Sequence, residues 1–140
     1  MYKRIISSVL VLFLTCSLIT PTAFAIDTRA SLQISYYETD VTAGTNGKID
    51  CEYHIISVPQ ADILGAENIS IYILINNHWV LSKDYDRFDA GMTINNYPTY
   101  DNTITYYGTT GMDYKVVITV FAEDADGYDS RTQTHYVTAK

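Results

Sequence analysis

Basic residues are scarce in this chain of 140 residues, which carries 9 Lys and Arg against 16 Asp and Glu. A protein that binds nucleic acid or an anionic lipid surface needs a basic face, so this balance argues against both kinds of partner. Charged residues make up only 18% of the chain and hydrophobic residues 47%, which argues against an intrinsically disordered protein. The length then predicts one small domain.

Motifs of the common enzyme classes are also missing. The sequence holds no Gly-x-Ser-x-Gly, no His-x-x-His and no glycine-rich phosphate loop. Its three histidines, His54, His78 and His135, lack the spacing that a metal site or a catalytic triad requires. Glu52 and His54 share one face of a predicted strand, which is typical of a strand face in contact with solvent. We therefore expect no enzymatic activity and no cofactor.

The chain has only one long apolar run, at residues 5–19, where it follows Lys3 and Arg4. A break at Pro21 and an Ala-x-Ala site that ends at Ala25 come next. A basic start, an apolar run and a site of small residues are the three parts of a secretory signal peptide. Because the run is shorter than the roughly 18 residues that span a bilayer, we predict cleavage after Ala25 and export without membrane insertion.

Cysteine is equally scarce, with two residues in the chain. Cys16 lies inside the apolar run, and the residues before it do not favour lipidation. Cleavage would remove residues 1–25 and leave a single domain of residues 26–140, with a formal charge of −9 in place of −7 and with Cys51 alone. A single thiol cannot form an internal disulfide, so the hydrophobic core must hold the secreted domain together.

From Ser31 onward, hydrophobic and polar residues alternate, and no amphipathic helix of useful length is present. This pattern predicts an all-β fold. About seven strands over roughly 100 residues are typical of a two-sheet antiparallel β-sandwich, and less so of a barrel around a ligand cavity. The predicted strands lie at residues 32–36, 48–58, 69–75, 78–83, 103–107, 114–122 and 131–138, with a short edge strand near 92–94.

Three features separate the strands. Pro59 is expected to end the second strand, and residues 60–67 to form a connection with at most one helical turn. Asn76 and Asn77 both tolerate positive φ and predict a tight hairpin. The polar, Tyr-rich segment 84–101 predicts a loop that contains only the short edge strand.

A family resemblance enters at residues 111–122, Gly-Met-Asp-Tyr-Lys-Val-Val-Ile-Thr-Val-Phe-Ala. This segment resembles the sixth strand of immunoglobulin-like and fibronectin type III-like domains, in which a Tyr opens the strand and its hydroxyl bonds back to the preceding corner. The chain also resembles small secreted β-sandwich proteins of Gram-positive, Clostridia-type gut bacteria. The resemblance lies in the order of three features: residues 47–51, an Ile-rich hairpin with Trp79 just past its turn, and the strand opened by Tyr114. The resemblance covers residues 31–140. It implies an immunoglobulin-like sandwich but no particular activity, since this fold hosts many functions.

The resemblance also bears on the remaining cysteine. Cys51 stands at the second-strand position that carries a disulfide partner in antibody domains, and Val116 stands at the matching position of the sixth strand. The comparison implies that Cys51 is a small buried apolar residue. A reactive or intermolecular thiol is the alternative, which an inward position disfavours because it blocks access.

The segment Asp-Ala-Asp-Gly-Tyr-Asp resembles the centre of a calcium loop, with Asp124, Asp126 and Asp129 as carboxylate ligands. The pattern fails at both ends, because Ala122 and Thr134 stand at the first and twelfth ligand positions. A hairpin turn explains the same residues, since Asp and Gly supply its backbone geometry. The turn is the simpler interpretation, and calcium is its alternative.

Tyrosine is abundant, with 13 residues in the chain. We assign Tyr36, Tyr53 and Tyr114 to the interior and the corner. Exposed aromatic rings beside Asp and Asn stack on sugars, and Tyr also supplies rigid contact area in protein recognition. The alternative is that these tyrosines bind nothing and are present only because tyrosine favours β-strands and covers the sheet surface. The residues expected to be exposed are Tyr37, Tyr72, Trp79, Tyr97, Tyr100, Tyr106, Tyr107 and Tyr128.

Within that set, Trp79, Tyr97, Tyr100 and Tyr107 are the candidate ligand-binding residues. The sequence thus predicts a secreted, non-enzymatic binding or interaction module whose partner is an extracellular protein or a glycan. A carbohydrate-binding module is one alternative, and a structural, self-associating surface component is another. A small hydrolase that uses acidic residues of the 84–101 segment, such as Asp86 and Asp89, is disfavoured because so small a sandwich has little room for a cleft.

Overall fold

A computed structural model describes residues 33–140, which form an all-β domain with 80% of these residues in strands. The predicted signal peptide, its cleavage site after Ala25 and Cys16 lie outside the described residues. Six antiparallel strands form one sheet that curls like half of a barrel. The strands are β1 (Ile34–Ala43), β2 (Lys48–Ile75), β3 (His78–Asp86), β4 (Thr93–Tyr107), β5 (Asp113–Asp124) and β6 (Gly127–Thr138).

The long strand β2 organises the sheet, because every other strand except β6 pairs with it. Residues 48–57 of β2 lie between β1 and the second part of β4, and these three segments are called the first half below. Residues 63–75 of β2 pair with β5 on one side and, on the other, first with the start of β4 and then, from Asn68, with β3, while β6 pairs with the far side of β5. Residues 63–75 of β2, together with β3, β5 and β6, are called the second half.

The hydrophobic core lies on the inner face of the curled sheet, because each strand turns alternate residues inward. Strand β5 shows this alternation, since every second residue is at most 1% exposed: Tyr114, Val116, Ile118 and Val120. The largest fully buried side chains from β2 are Ile49, Cys51, Ile55, Leu64, Ile69 and Ile71. Burial of such side chains supplies most of the driving force for folding.

The prediction that Pro59 ends the second strand is wrong. β2 continues through it to Ile75, and residues 60–67 form strand rather than a helical turn. The pairing of β2 with β4 is interrupted between Ile56 and Ala61, so Pro59, which has no N–H, occupies a stretch where no ladder bond is required of it. Two predicted strands are thus one, and the count is six rather than about seven.

The prediction of a loop over residues 84–101 is also wrong for most of its length. Only residues 87–92 connect β3 to β4, and Thr93 already pairs with Gly65. β4 is polar because it has hydrogen-bonded neighbours on one side only and one face turned to solvent, so its composition resembles that of a loop. The hairpin at Asn76 and Asn77 is confirmed, with φ of 49° and 64°.

The assignment of Tyr36 to the interior is wrong, since its side chain is 47% exposed. The pairing of β1 with β2 shifts between Ile34 and Tyr36, and this bulge moves the alternation by one residue. Tyr37 therefore packs against the core in place of Tyr36. The assignment of Tyr53 and Tyr114 to the interior is confirmed.

The single cysteine of the domain is buried and free, as the sequence predicts. Burial raises the pKa of the Cys51 thiol to about 12. A thiol that stays protonated at physiological pH and has no path to solvent is a poor nucleophile. Cys51 thus behaves as a small apolar core residue.

Candidate functional site

The four candidate ligand-binding residues do not lie together. Tyr97 pairs with Ala61 and Tyr107 pairs with Lys48, so they lie near opposite ends of β4. Ten residues of extended strand separate two points by roughly 30 Å. The side chains of Tyr97 and Tyr107 are 53% and 67% exposed, and neither ring contacts another aromatic ring among residues 33–140.

Tyr100 has a structural role at the connection between β3 and β4. Its hydroxyl donates a hydrogen bond of 2.8 Å to the carbonyl oxygen of Gly91, and the Tyr53 hydroxyl and the Asn102 amide donate to the same oxygen. The edge of the Tyr100 ring also meets the Tyr53 ring at a centroid distance of 5.9 Å. These contacts fasten residues 87–92 to the sheet, so Tyr100 is not free to stack on a ligand.

Trp79 is the candidate residue with aromatic neighbours on the surface. Tyr72 of β2 pairs with Lys115 of β5, and Lys115 pairs with Tyr136 of β6, so these three side chains stand in one row across the sheet. Trp79 lies beside this row, and its ring centroid is 5.7 Å from that of Tyr136. We call Tyr72, Trp79, Lys115 and Tyr136 the aromatic face of the second half.

The ammonium group of Lys115 holds the aromatic face together. It lies 4.3 Å from the centre of the Tyr72 ring and 5.7 Å from that of Trp79. A cation over an aromatic ring contributes about 0.5–1 kcal/mol at an exposed site. Lys115 thereby lies next to both rings, and its side chain is half-buried.

A shallow groove of about 270 Å³ is lined by Trp79 and Tyr136. Its rim carries polar groups, since the Thr138 hydroxyl donates a hydrogen bond of 2.6 Å to the Asp113 carboxylate. The groove therefore combines two exposed rings with hydroxyl and carboxylate oxygens, which suits a ligand that has both an apolar face and hydrogen-bonding edges. The residues lining it are Leu74, Trp79, Asp113, Tyr114, Tyr136, Val137 and Thr138.

The sequence analysis missed Lys115 and Tyr136. Each strand's alternation shows which of its residues share a face, but it does not show which residues of neighbouring strands stand opposite. Tyr136 precedes Val137 near the end of the chain, and its 68% exposure follows from the position of β6 at the rim of the sheet. Only the register across β2, β5 and β6 brings it to Tyr72.

The outer face of the first half has the opposite character. A shallow pocket of about 300 Å³ lies beside His54. The carboxylates that line it are Glu38, Asp40, Glu52 and Asp101. This arrangement fits the solvent-exposed face predicted for Glu52 and His54. Within residues 33–140, no three His, Cys, Asp or Glu side chains are placed to hold a metal ion. The excess of carboxylates repels anions from this half of the surface.

The calcium candidates bind donors of the protein itself. Asp124 accepts hydrogen bonds of 2.8 and 3.0 Å from the N–H groups of Asp126 and Gly127, as expected of a hairpin turn. Asp129 is only 4% exposed, accepts from the N–H of Ile34, and pairs with the Arg131 guanidinium. Oδ1 of Asp124 is thus engaged in the turn, and both carboxylate oxygens of Asp129 are engaged by Ile34 and Arg131.

The hydrolase candidates Asp86 and Asp89 also accept hydrogen bonds within the turn that contains them. Asp89 accepts a hydrogen bond of 2.9 Å from the Asp86 N–H, and Asp86 accepts one of 2.8 Å from the Phe88 N–H. Each carboxylate stabilises the connection between β3 and β4.

Comparisons of the sequence with models of known protein families and with curated proteins find no match. In residues 33–140 no helix is long and apolar enough to cross a membrane. What can be said of function therefore rests on the geometry of the surface.

Proposed function

We propose that this protein is an exported, non-enzymatic binding module that holds its ligand on the aromatic face. The observation that carries this proposal is the side-by-side placement of three rings and one ammonium group on the outer face of the second half, around Lys115. Exposed aromatic residues contribute more to recognition than other surface residues, because they bury a large area and lose little rotamer freedom. The engaged carboxylates at residues 86–89 and 124–129 support a role without catalysis.

The fold belongs to the same proposal, as an immunoglobulin-like sandwich of two packed sheets. The two halves correspond to a sheet of three segments and a sheet of four, joined by β2. Tyr114 supports the resemblance, because it opens β5 and its hydroxyl accepts a hydrogen bond from the Thr109 N–H in the preceding corner. In such a fold the outer sheet faces and the end loops are the surfaces open to a partner.

Export is supported by the N-terminal residues alone. The basic start, the apolar run and the Ala-x-Ala site of residues 1–25 are the parts of a signal peptide. The domain that cleavage would leave has a formal charge of −9. An extracellular protein or a glycan is then the class of partner available.

A carbohydrate is the ligand class that the groove favours. Pyranose rings have apolar C–H faces that stack on aromatic rings, and their hydroxyl groups bond to carboxylate and hydroxyl oxygens. Trp79 and Tyr136 offer the rings, and Asp113 and Thr138 offer the oxygens at the rim. The Lys115 ammonium adds a donor and a positive charge, so a sugar that carries a carboxylate or sulfate group fits this surface best.

The experiment that tests this proposal is binding of the purified protein to an array of neutral and acidic glycans, followed by titration of the best glycan. We expect Trp79→Ala and Tyr136→Ala each to weaken binding at least about tenfold, since a stacked ring contributes more than about 1.4 kcal/mol. Tyr97→Ala is the matched control, because it removes a ring whose 53% exposure lies between those of Trp79 and Tyr136, and this ring is far from the aromatic face.

Three results separate the possibilities. Binding that Trp79→Ala abolishes and Tyr97→Ala leaves intact supports the carbohydrate proposal. If the array is blank but a partner protein is bound through Trp79 and Tyr136, the binding module stands and the ligand is a protein. A glycan that binds equally well to the Trp79→Ala and Tyr136→Ala variants would rule out the aromatic face.

A further inference from the structure

Strand β3 is an edge strand with free backbone groups at its start. The two-residue turn at Asn76 and Asn77 makes Ile75 and His78 the closing hydrogen-bonded pair of the hairpin. Hydrogen-bonded and non-hydrogen-bonded pairs alternate in an antiparallel ladder. The N–H and C=O groups of His78 and Val80 therefore point toward β2, and those of Trp79 and Leu81 point away from it.

The side chains along this edge are unusually apolar. Trp79, Val80 and Leu81 are three consecutive residues that are 37%, 46% and 54% exposed. Edge strands normally carry charges or bulges that prevent pairing with another chain. In β3 the bulge lies at Ser82 and the first charged residue is Lys83. The features that prevent pairing with another chain therefore begin only after Leu81.

From these observations we infer that two copies of this chain pair through the edge of β3 in an antiparallel, two-fold arrangement. The free groups of Trp79 then meet those of Leu81 in the other copy, and the two-fold axis passes beside Val80. Each hydrogen-bonded pair exchanges two backbone bonds, so the two symmetric pairs form four. The side chains of Trp79 and Leu81 from different copies stand opposite on the aromatic face, and the two Val80 side chains meet on the other side.

The two-fold register is self-complementary, since it sets apolar residues against apolar residues, and this favours a second copy as the occupant of this edge. Each copy carries a large negative charge, so two copies can approach only where carboxylates do not face each other. In the register centred on Val80, Lys83 lies opposite Asn77 and Asp84 lies opposite Asn76 of the other copy. No carboxylate of β3 opposes another.

The other strand edges are less suited to this contact. β1 exposes the carboxylates of Glu38 and Asp40. β4 contains Pro98, which has no N–H to donate, and Asp101. Of the strands described in residues 33–140, β3 alone presents three consecutive exposed apolar residues.

Pairing would join the aromatic faces of the two copies into one continuous surface. The two Trp79 side chains would lie near the axis, with Tyr72, Lys115 and Tyr136 repeated on each side. Two linked sites bind a repeating ligand far more tightly than one site does. The pairing itself does not depend on what the aromatic face binds.

The experiment is sedimentation equilibrium of the purified protein from about 10 µM to about 1 mM, the range in which so short an interface associates. We expect the average mass to rise toward twice the monomer mass. Hydrogen exchange of the Trp79 and Leu81 amides should slow over the same range. Added salt should favour the dimer, because it screens the repulsion between the two acidic chains.

Two variants test the register. Val80→Lys places two ammonium groups opposite each other at the axis, and we expect it to raise the dimer dissociation constant at least about tenfold. Leu81→Pro removes an N–H that points away from β2 and should have the same effect. Thr134→Lys adds the same charge at an exposed position of β6 and serves as the control.

Each outcome decides the matter. A dimer that Val80→Lys and Leu81→Pro dissociate, and Thr134→Lys does not, establishes the contact. A constant monomer mass up to 1 mM overturns it, and so does a dimer that survives both variants. Because Val80 lies outside the aromatic face, ligand binding by the Val80→Lys monomer would show that the proposed function holds even where the pairing fails.

Discussion

The hydroxyl oxygen of Tyr114 lies 2.8 Å from the backbone nitrogen of Thr109 and accepts its hydrogen bond. The Tyr114 ring passes so close to Gly108 that a Cβ at that position would be 2.6 Å from the ring. The corner before β5 is thus held by one side chain from the strand that follows it. The contact ties a surface turn to the fully buried start of β5.

The first prediction follows from this contact. Tyr114→Phe keeps the buried ring and removes only the acceptor, so we expect the free energy of unfolding to fall by about 1 kcal/mol. Urea denaturation measures it. Tyr107→Phe, which alters a largely exposed hydroxyl, should leave the midpoint unchanged. Equal midpoints for all three proteins would contradict a structural role for the Tyr114 hydroxyl.

Gly47 carries a second prediction. Its φ is +75°, and a Cβ there would lie 2.1 Å from the carbonyl oxygen of Gly108. Gly111 has a similar φ of +83° with open space around it. We expect Gly111→Ala to lower the free energy of unfolding by about 1–2 kcal/mol, the cost of a left-handed conformation, and Gly47→Ala to lower it by more. Thermal melts that rank the two variants in the reverse order would contradict the close contact between the two corners.

The buried thiol provides a prediction in alkaline solution. Burial raises the pKa of Cys51 from the ordinary value of 9.0 to about 12, so the folded state keeps this proton at pH values where the unfolded state loses it. The resulting stability is fully present below pH 9 and is lost as the pH rises toward 12. Burial raises the pKa of Tyr53 as well, so its effect has the same sign.

Comparison with Cys51→Ala separates the two groups. The difference in unfolding free energy between the protein and this variant should shrink as the pH rises above 9. A thiol reagent at pH 8 should react with Cys51 only at the rate of unfolding, and rapid labelling of the folded protein would contradict its burial.

The turn between β5 and β6 provides a prediction about calcium. The buried Asp129 carboxylate accepts a hydrogen bond from the Ile34 N–H and pairs with Arg131. Asp129→Ala should lower the free energy of unfolding by about 1–3 kcal/mol, because it leaves a buried donor without its acceptor. Asp126→Ala, at an exposed position, should have little effect. Millimolar calcium should leave the melting temperature unchanged, and a calcium-dependent rise would restore the calcium loop.

The hairpin between β2 and β3 provides the last prediction. Asn76 and Asn77 both have positive φ, and glycine adopts this conformation at the second position of such a turn more readily than asparagine. We expect Asn77→Gly to raise the free energy of unfolding by up to about 1 kcal/mol and Asn77→Ala to lower it by a similar amount. Equal melting temperatures for the two variants would argue against the turn.

Local pattern was enough for much of the fold. The alternation in residues 48–58 and 114–122 predicted both strands and their buried faces, and the Asn76 turn was predicted from two residues. Period two decides which side chains share a face, and turn residues decide where the chain reverses. Both are properties of a few neighbouring residues, so they can be read without the tertiary structure.

Where local signals competed with pairing, the sequence misled. Pro59 predicts the end of a strand, but it lies where the pairing of β2 with β4 is interrupted and β2 continues. Tyr36 was placed inside because the bulge before it leaves no mark in the alternation. The composition of residues 95–101 predicts a loop, because a strand with one exposed face has a similar composition, whereas the short edge strand predicted near 92–94 marks the start of β4.

The sequence by itself determined an all-β chain, an unpaired buried thiol and an abundance of surface tyrosine. Only the tertiary structure decided which aromatic residues meet, since Tyr72, Lys115 and Tyr136 come from three strands that are far apart in the chain. It separated Tyr97 from Tyr107, showed that Tyr100 of β4 fastens the connection of residues 87–92, and placed Trp79 beside Tyr136. The physical reason is that a strand's faces are set by its own period, whereas its neighbours are set by long-range register.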